Sequence, residues 1–294
     1  MPSPIVFDRR LLRARRRRAM ALTPADFLLA RVADEMAERL ASVMRQFDLA
    51  IDLGTPGDHL RRALAGSAQV KRMMAVNALT GMTPDVAADE EALPFRDASL
   101  DLVISGLALH LVNDLPGTLV QIRRALRPDG LFLAAMLGGE TLTELRRAFS
   151  EAEVEVEGGI SPRVAPFPDL RDLGALLQRA GFALPVADVE RVMVRYGTVF
   201  ALMHDLRRMG ATNVLTERQR KPMRRATLMR MAEVYGKRFA DSDGRLRATF
   251  EIIWLSGWTP DPSQQKPLQP GSATMRLADA LGTIEIPAGE KADR

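Results

Sequence analysis

Short apolar runs with helical stretches between them constrain this chain more than any other feature. Residues 49–54 (Leu-Ala-Ile-Asp-Leu-Gly) read as a buried strand, 59–65 as a helix, and 70–74 and 86–88 as short strands. Residues 100–105 follow as a strand, 115–126 as a helix, and 131–137 as a strand entered through the turn tripeptide Pro128-Asp129-Gly130. Strands joined by helical or loop crossovers lie parallel in one sheet with helices on both faces, so the expected class is α/β and doubly wound.

The flanks extend this pattern. Thr23-Pro24 is a helix start, and Leu28, Leu29, Val32, Met36, Leu40 and Val43 recur at three- and four-residue steps, which predicts a helical cover over 22–45. Downstream, a helix over 169–180 stops at Gly181, and a strand over 186–196 follows. Helices over 199–209 and 222–239 form a helical insertion at about 197–246, before a last strand over 249–255 that leads to Trp258. The chain therefore divides into a basic arm (1–21), a domain (22–258) and a tail (259–294) marked by Pro260, Pro262, Pro267 and Pro270.

Composition excludes several function classes. With 294 residues, 47% of them hydrophobic, the chain buries a substantial core. No run approaches the roughly 18 apolar residues of a spanning helix, so a soluble, cytoplasmic protein is expected. The absence of cysteine removes disulfides, thiolate metal sites and cysteine nucleophiles, and three histidines far apart leave no metal site to expect. Asp241 and Asp243 lack the further ligands of a calcium loop. The net charge of +4 comes from the start of the chain: residues 1–18 hold seven arginines and only Asp8 as an acid, leaving 34 basic against 36 acidic residues elsewhere. The arm reads as a solvated amphipathic or partner-docking helix, with an acidic protein surface as its partner. Nucleic acid is not expected, since 11 Phe, 2 Trp and 2 Tyr offer few stacking platforms. Asp8 and the lack of a serine tract speak against a transit peptide.

In open parallel sheets a ligand sits beyond the carboxyl ends of the strands, and the first strand-to-helix turn carries glycines that let backbone approach it. Here that turn is Asp52-Leu53-Gly54-Thr55-Pro56-Gly57-Asp58-His59. Further on stand 88–95 (Ala-Asp-Glu-Glu-Ala-Leu-Pro-Phe), 100–105, 109–114 (Leu-His-Leu-Val-Asn-Asp) and 126–132 (Leu-Arg-Pro-Asp-Gly-Leu-Phe). Together these resemble class I S-adenosylmethionine-dependent methyltransferases of the type 11 branch, which includes the malonyl-carrier-protein methyltransferases of biotin synthesis. Phe7-Asp8-Arg9, 138–146 (Gly-Gly-Glu-Thr-Leu-Thr-Glu-Leu-Arg), 157–162 (Glu-Gly-Gly-Ile-Ser-Pro) and 271–274 (Gly-Ser-Ala-Thr) are similar to the arginine-hydroxylating complex I assembly factors of mitochondria and their alphaproteobacterial relatives. This resemblance runs from residue 7 to about 277. It implies a Rossmann-like methyltransferase sheet and S-adenosylmethionine as cofactor. It also implies work on the quinone-site iron–sulfur subunit of complex I, by arginine modification or by holding that subunit. Ordinary methyl transfer to a small acid or carrier protein is the alternative activity. The resemblance places cofactor contacts at Asp52, Gly54, Gly57, Asp89, Glu90 and Ser105. His110, just after a strand, is the candidate base.

Two departures weaken the expected hold on the cofactor. Pro56 and Asp58 stand where the family motif has its second and third glycines, and Pro56 removes a backbone donor. No acid lies between Asp58 and Asp85, and the expected ribose-binding place, taken at Met73 within 70–74, has none. Lys71 and Arg72 offer an alternative fit to a phosphorylated ribose. Other polar residues have structural readings: Asn113-Asp114 as a helix cap, Gly138-Gly139 as a hinge or a close approach to ligand, Glu90 and Glu91 as solvated loop acids or as a pair that binds an arginine or a metal, and His110 as a partly buried histidine that caps or packs, with His59 and His204 weaker candidates for catalysis. Met223, Met229 and Met231 read as adaptable packing or a partner groove.

Overall fold

The computed structural model describes residues 5–79, 84–265, 272 and 275–284. Of the segment 271–274, only Ser272 lies among them. Two units are distinguished, Met1–Pro260 and Asp261–Arg294.

The first unit is built on one six-stranded sheet. Its strands are β1 (Ala50–Leu53), β2 (Met73–Val76), β3 (Leu100–Gly106), β4 (Leu126–Leu137), β5 (Ala183–Tyr196) and β6 (Leu246–Trp258), in the order β2-β1-β3-β4-β6-β5. The first four run parallel, β6 is antiparallel to β4, and β5 is antiparallel to β6. This is the doubly wound α/β sheet of class I methyltransferases. Residues 86–88 do not form the expected strand, because Val86 makes only an isolated bridge to Val76. The Asp85 carboxylate instead accepts the Ala75 amide at 2.7 Å, taking a donor that a neighbouring strand would have used. Pro128-Asp129-Gly130 is a bulge within β4. Leu100 pairs with Leu126 and Leu102 already with Leu131, so 127–130 are looped out, with Asp129 in the left-handed region at φ 57.

Alternation along the strands sends side chains to two cores. Leu131, Leu133 and Ala135 of β4 join Phe250, Ile252 and Trp254 of β6 on one face. That face is covered by α2 (Phe27–Ala41), α3 (His59–Ala63), α5 (Thr143–Glu157), α7 (Val199–Arg208) and α8 (Arg225–Phe239). Phe132, Ala134 and Met136 point to the other face, under α4 (Leu115–Ala125) and α6 (Leu170–Arg179). The cover helix α2 buries Leu28, Val32, Met36 and Leu40, each contributing roughly 1.5–3 kcal/mol over exposure. The insertion between β5 and β6 carries α7 and α8.

The arm is not solvated. Residues Arg9–Ala19 form helix α1, started by the Asp8 carboxylate, which accepts the Leu11 amide at 2.9 Å. Phe7 and Leu12 are buried with Leu111, Val214 and Leu215. Ahead of α1, Asn113 Oδ1 accepts the amides of Val6 and Phe7 at 2.9 and 2.7 Å. Asn113 is therefore an anchor for the N-terminal segment, while Asp114 alone caps α4 through the Gly117 amide.

In the second unit, helix α9 (Leu277–Leu281) ends at Gly282, whose φ of 64 is the left-handed stop that glycine permits.

Candidate functional site

The carboxyl end of β1 runs into a loop whose backbone turns twice through the left-handed region, at Gly54 (φ 73) and Gly57 (φ 75). Thr55 fixes this loop to β3, its hydroxyl oxygen accepting the Gly106 amide at 2.8 Å. Ser105 belongs to the sheet, since its hydroxyl donates to the Leu53 carbonyl at 2.7 Å. Asp52 is buried, and its Oδ1 has no hydrogen-bond partner among the described residues. Burial pushes this carboxyl up to about 7 against the weaker pull of Thr55.

The residue that β2 delivers to this loop is Asn77. Its side-chain amide donates to the Thr55 carbonyl at 3.4 Å, and its Oδ1 accepts the Leu79 amide at 2.9 Å. Met73 is at the opposite end of β2, paired with Ala50. Lys71 lies just before β2 and is paired with Asp48 at 2.8 Å, and Arg72 also precedes the strand. The residue at the loop end of β2 is therefore Asn77, four positions beyond Met73, and neither cation of the Lys71-Arg72 pair stands at the loop.

The acids at 89–90 meet the arm. Arg9 donates to Asp89 at 2.8 Å and also to Glu90, and Arg13 donates to Asp89. Arg16 approaches Glu90 at 3.9 Å. The acidic surface that the basic arm contacts is thus the chain's own loop at 89–91, reached by the inward faces of α1, while Arg10, Arg17 and Arg18 point to solvent. Burial opposes ionisation of Asp89, but the Glu91 amide and the two guanidiniums outweigh it and hold the carboxyl below its ordinary range. Glu90 is buried and lies over Gly54, where an added Cβ would meet its Oε1 at 2.5 Å.

His110 follows β3 on a short 3-10 turn (Leu109–Leu111) and is buried, with its ring centroid 5.7 Å from that of Phe167. Burial, helped by the Arg16 charge, lowers it to about 3, so the imidazole is neutral near neutral pH. His59 pairs with Asp26 at 2.9 Å and ties the glycine loop to the start of the cover helix, whereas His204 is exposed on α7. Gly138 makes its close approach to the chain's own Glu251 and Ile253. Among the described residues no three His, Asp or Glu side chains form a group that could hold a metal ion.

A cavity of about 670 Å³ opens beside the loop, bounded by Pro56, Gly57, His110, Phe167, α1 and the segment 203–223. Met223 lines it, whereas Met229 is exposed and Met231 is buried in the core under α8. The strand ends fit S-adenosylmethionine in outline. Gly54 and Gly57 turn the loop backbone, Asn77 closes β2 beside it with its amide bonded to Thr55 and Leu79, and Asp89 stands on the loop that α1 contacts. Glu90 over Gly54 and Arg9 on Asp89 lessen that fit. Sequence reasoning missed Arg9, Arg16 and Asn77. The signal for the first two was present in the spacing of Leu12, Arg16 and Ala19 behind the Asp8 cap, which turns Arg16 inward.

Comparison with known proteins agrees with this geometry. A methyltransferase-domain family model matches residues 51–134. The mitochondrial arginine-hydroxylase NDUFAF5 of Homo sapiens is 40% identical over 300 residues, covering 97% of this chain and 86% of that protein. Its Danio rerio counterpart is 39% identical over 287 residues, covering 93% and 89%. The malonyl-[acyl-carrier protein] O-methyltransferase of Laribacter hongkongensis is 35% identical over 286 residues, covering 90% and 94%. Among solved structures, the YcgJ protein of Bacillus subtilis shares the fold at a TM-score of 0.52 and 16% identity, over 79% of this chain and 99% of that one. Identity of this extent along nearly the full length shows that the chain belongs to the methyltransferase-fold family that includes the arginine-hydroxylase NDUFAF5.

Proposed function

We propose that this protein assists assembly of respiratory complex I, by modifying an arginine of the quinone-site iron–sulfur subunit or by holding that subunit. The observation that carries this reading is the 40% identity to the human arginine-hydroxylase over 97% of the chain. S-adenosylmethionine, when bound, supplies an activated methyl group. The residues that would hold it are the 54–57 backbone, Asn77 and Asp89, with Asp52 beneath the loop. His110, neutral at the cavity wall, is the candidate base, a weak one because burial and Arg16 oppose its protonation. A cytoplasmic setting suits this role, and among the described residues no helix is long and apolar enough to cross a membrane.

A scaffold role is the second reading, favoured by Glu90 lying over Gly54 and by Arg9 engaging Asp89. Ordinary methyl transfer to an acid or carrier protein rests on the similarity to the Laribacter hongkongensis enzyme. Mass spectrometry of the partner subunit from a deletion strain, with and without the restored gene, separates the three. Arginine hydroxylation adds the mass of one oxygen only in the restored strain. Restored assembly with an unmodified subunit leaves the scaffold. No assembly defect on deletion removes the proposal and leaves methyl transfer elsewhere.

A further inference from the structure

The cavity beside the glycine loop is lined by one buried arginine that, among the described residues, has a 3.9 Å ion pair and no hydrogen bond. Its walls are largely apolar, formed by residues such as Leu12, Leu107, Leu142, Phe149, Phe167 and Phe250. The other arginines that line it have partners. Arg15 donates to the Asn213 carbonyl, Arg62 pairs with Asp58, Arg163 with Glu153, Arg208 with Asp205, and Arg218 with Asp8. Arg16 differs. It is 9% exposed, and its side chain donates no hydrogen bond among the described residues. The carboxylate near it, Glu90, is 3.9 Å away and already bonded by Arg9.

A second buried polar group shares this corner. His110 is 8% exposed and lines the same cavity, and its Nδ1 has no partner. Arg16 stands close enough to help suppress protonation of that imidazole, which therefore keeps one N–H to donate and adds no charge. A buried guanidinium without a bonded counter-charge is unfavourable, and an anion delivered into the cavity relieves it.

We propose that this cavity binds an amphiphilic monocarboxylate of the fatty-acid class, its head on Arg16 and His110 and its chain along the apolar walls. A planar carboxylate matches the guanidinium fork and balances its single charge. A phosphate dianion would need a second cation at the head, and Arg15, which lines the cavity without a carboxylate partner, is held by the Asn213 carbonyl; a cationic head would meet Arg16 directly. The volume is in the range of about 300–1,000 Å³ common for small-molecule sites. No cofactor enters this argument, so its failure would leave the complex I reading untouched.

The test is calorimetric titration of the full chain, without cofactor, with four ligands that share one chain: dodecanoate, dodecanol, dodecylammonium and dodecyl phosphate. Dodecanoate is expected to bind about tenfold or more tightly than the alcohol and the ammonium, in keeping with a charge-assisted bond. Arg16→Gln should erase that preference and leave dodecanol affinity unchanged. Equal affinity for all heads, no binding of dodecanoate, or tightest binding of dodecyl phosphate would overturn the assignment. Thermal melting checks the variant. If Arg16→Gln fails to fold, Arg16→Lys keeps the charge and loses the fork, and undiminished dodecanoate binding by it would likewise overturn the proposal.

Discussion

The carboxylate of Glu90 occupies the space above Gly54, so that a Cβ built on that glycine would lie 2.5 Å from Oε1. Glycine at the end of β1 thus makes room for a side chain of the same protein, and Arg9 bonds that side chain. Backbone freedom that serves ligand approach elsewhere in this family is used here, in the free protein, for an internal contact.

S-adenosylmethionine is therefore expected to bind wild-type protein more weakly than the submicromolar range. Glu90→Ala should tighten binding by about tenfold by clearing the glycine, while Arg9 keeps Asp89 as a partner. Titration calorimetry reads both quantities. Submicromolar binding by the wild type, or no gain in a folded variant, would contradict this account of the loop.

Asn77→Asp should strengthen cofactor binding by about tenfold to a hundredfold, since it returns a charged acceptor to the end of β2. Met73→Asp, at the far end of the strand, should give no gain. A gain from Met73→Asp alone would move the cofactor site away from the β1 loop.

Asp52 makes a pH prediction of definite sign. Its folded value of about 7 lies above the ordinary 3.8, so the folded state keeps a proton that the unfolded chain releases between those values. The stability from protonated Asp52 is complete below about pH 4 and is lost as pH rises through about 7. At about 1.4 kcal/mol per pH unit, this amounts to a few kcal/mol by pH 8. Denaturant melts at pH 4 and pH 8 should show Asp52→Asn gaining on the wild type by that amount at the higher pH. Parallel curves would place the proton elsewhere.

Helix α1 is structural. Leu12→Ala should cost about 2–4 kcal/mol, as for other buried leucines. Arg17→Gln with Arg18→Gln, both exposed, should change stability by less than about 0.5 kcal/mol. Equal tolerance of both changes in a thermal melt would mean that α1 is held loosely.

The periodic elements were legible because burial wrote them into short windows. The Leu28–Val32–Met36–Leu40 stripe marked α2, and the apolar runs marked β1, β3 and β4. What escaped depended on partners distant in sequence. An arginine-rich stretch reads as solvated until Asp89 and Glu90, about eighty positions on, are brought beside it. The β2 register slipped for a local reason. Val70 makes only a bridge to Phe47, and the strand starts at Met73, so the residue facing the loop became Asn77. Helix α5 does carry an apolar stripe, Leu145, Ala148, Phe149 and Ala152, but it is interleaved with acids, and that Glu144 and Glu153 are buried shows only once Thr249 and Arg163 are brought beside them.

Because Phe7 bridges Leu215, and Thr216 donates to Ile5 across 211 positions, the seat of the opening segment is completed only when the insertion has been synthesised. Helix α1 is thus synthesised nearly two hundred residues before one side of its seat. Until then Phe7 and Leu12 lack their neighbours Val214 and Leu215. A nascent chain stalled before residue 214 therefore holds at most the four parallel strands, and the pocket is complete only once β6, whose Phe250 lines it, has been made.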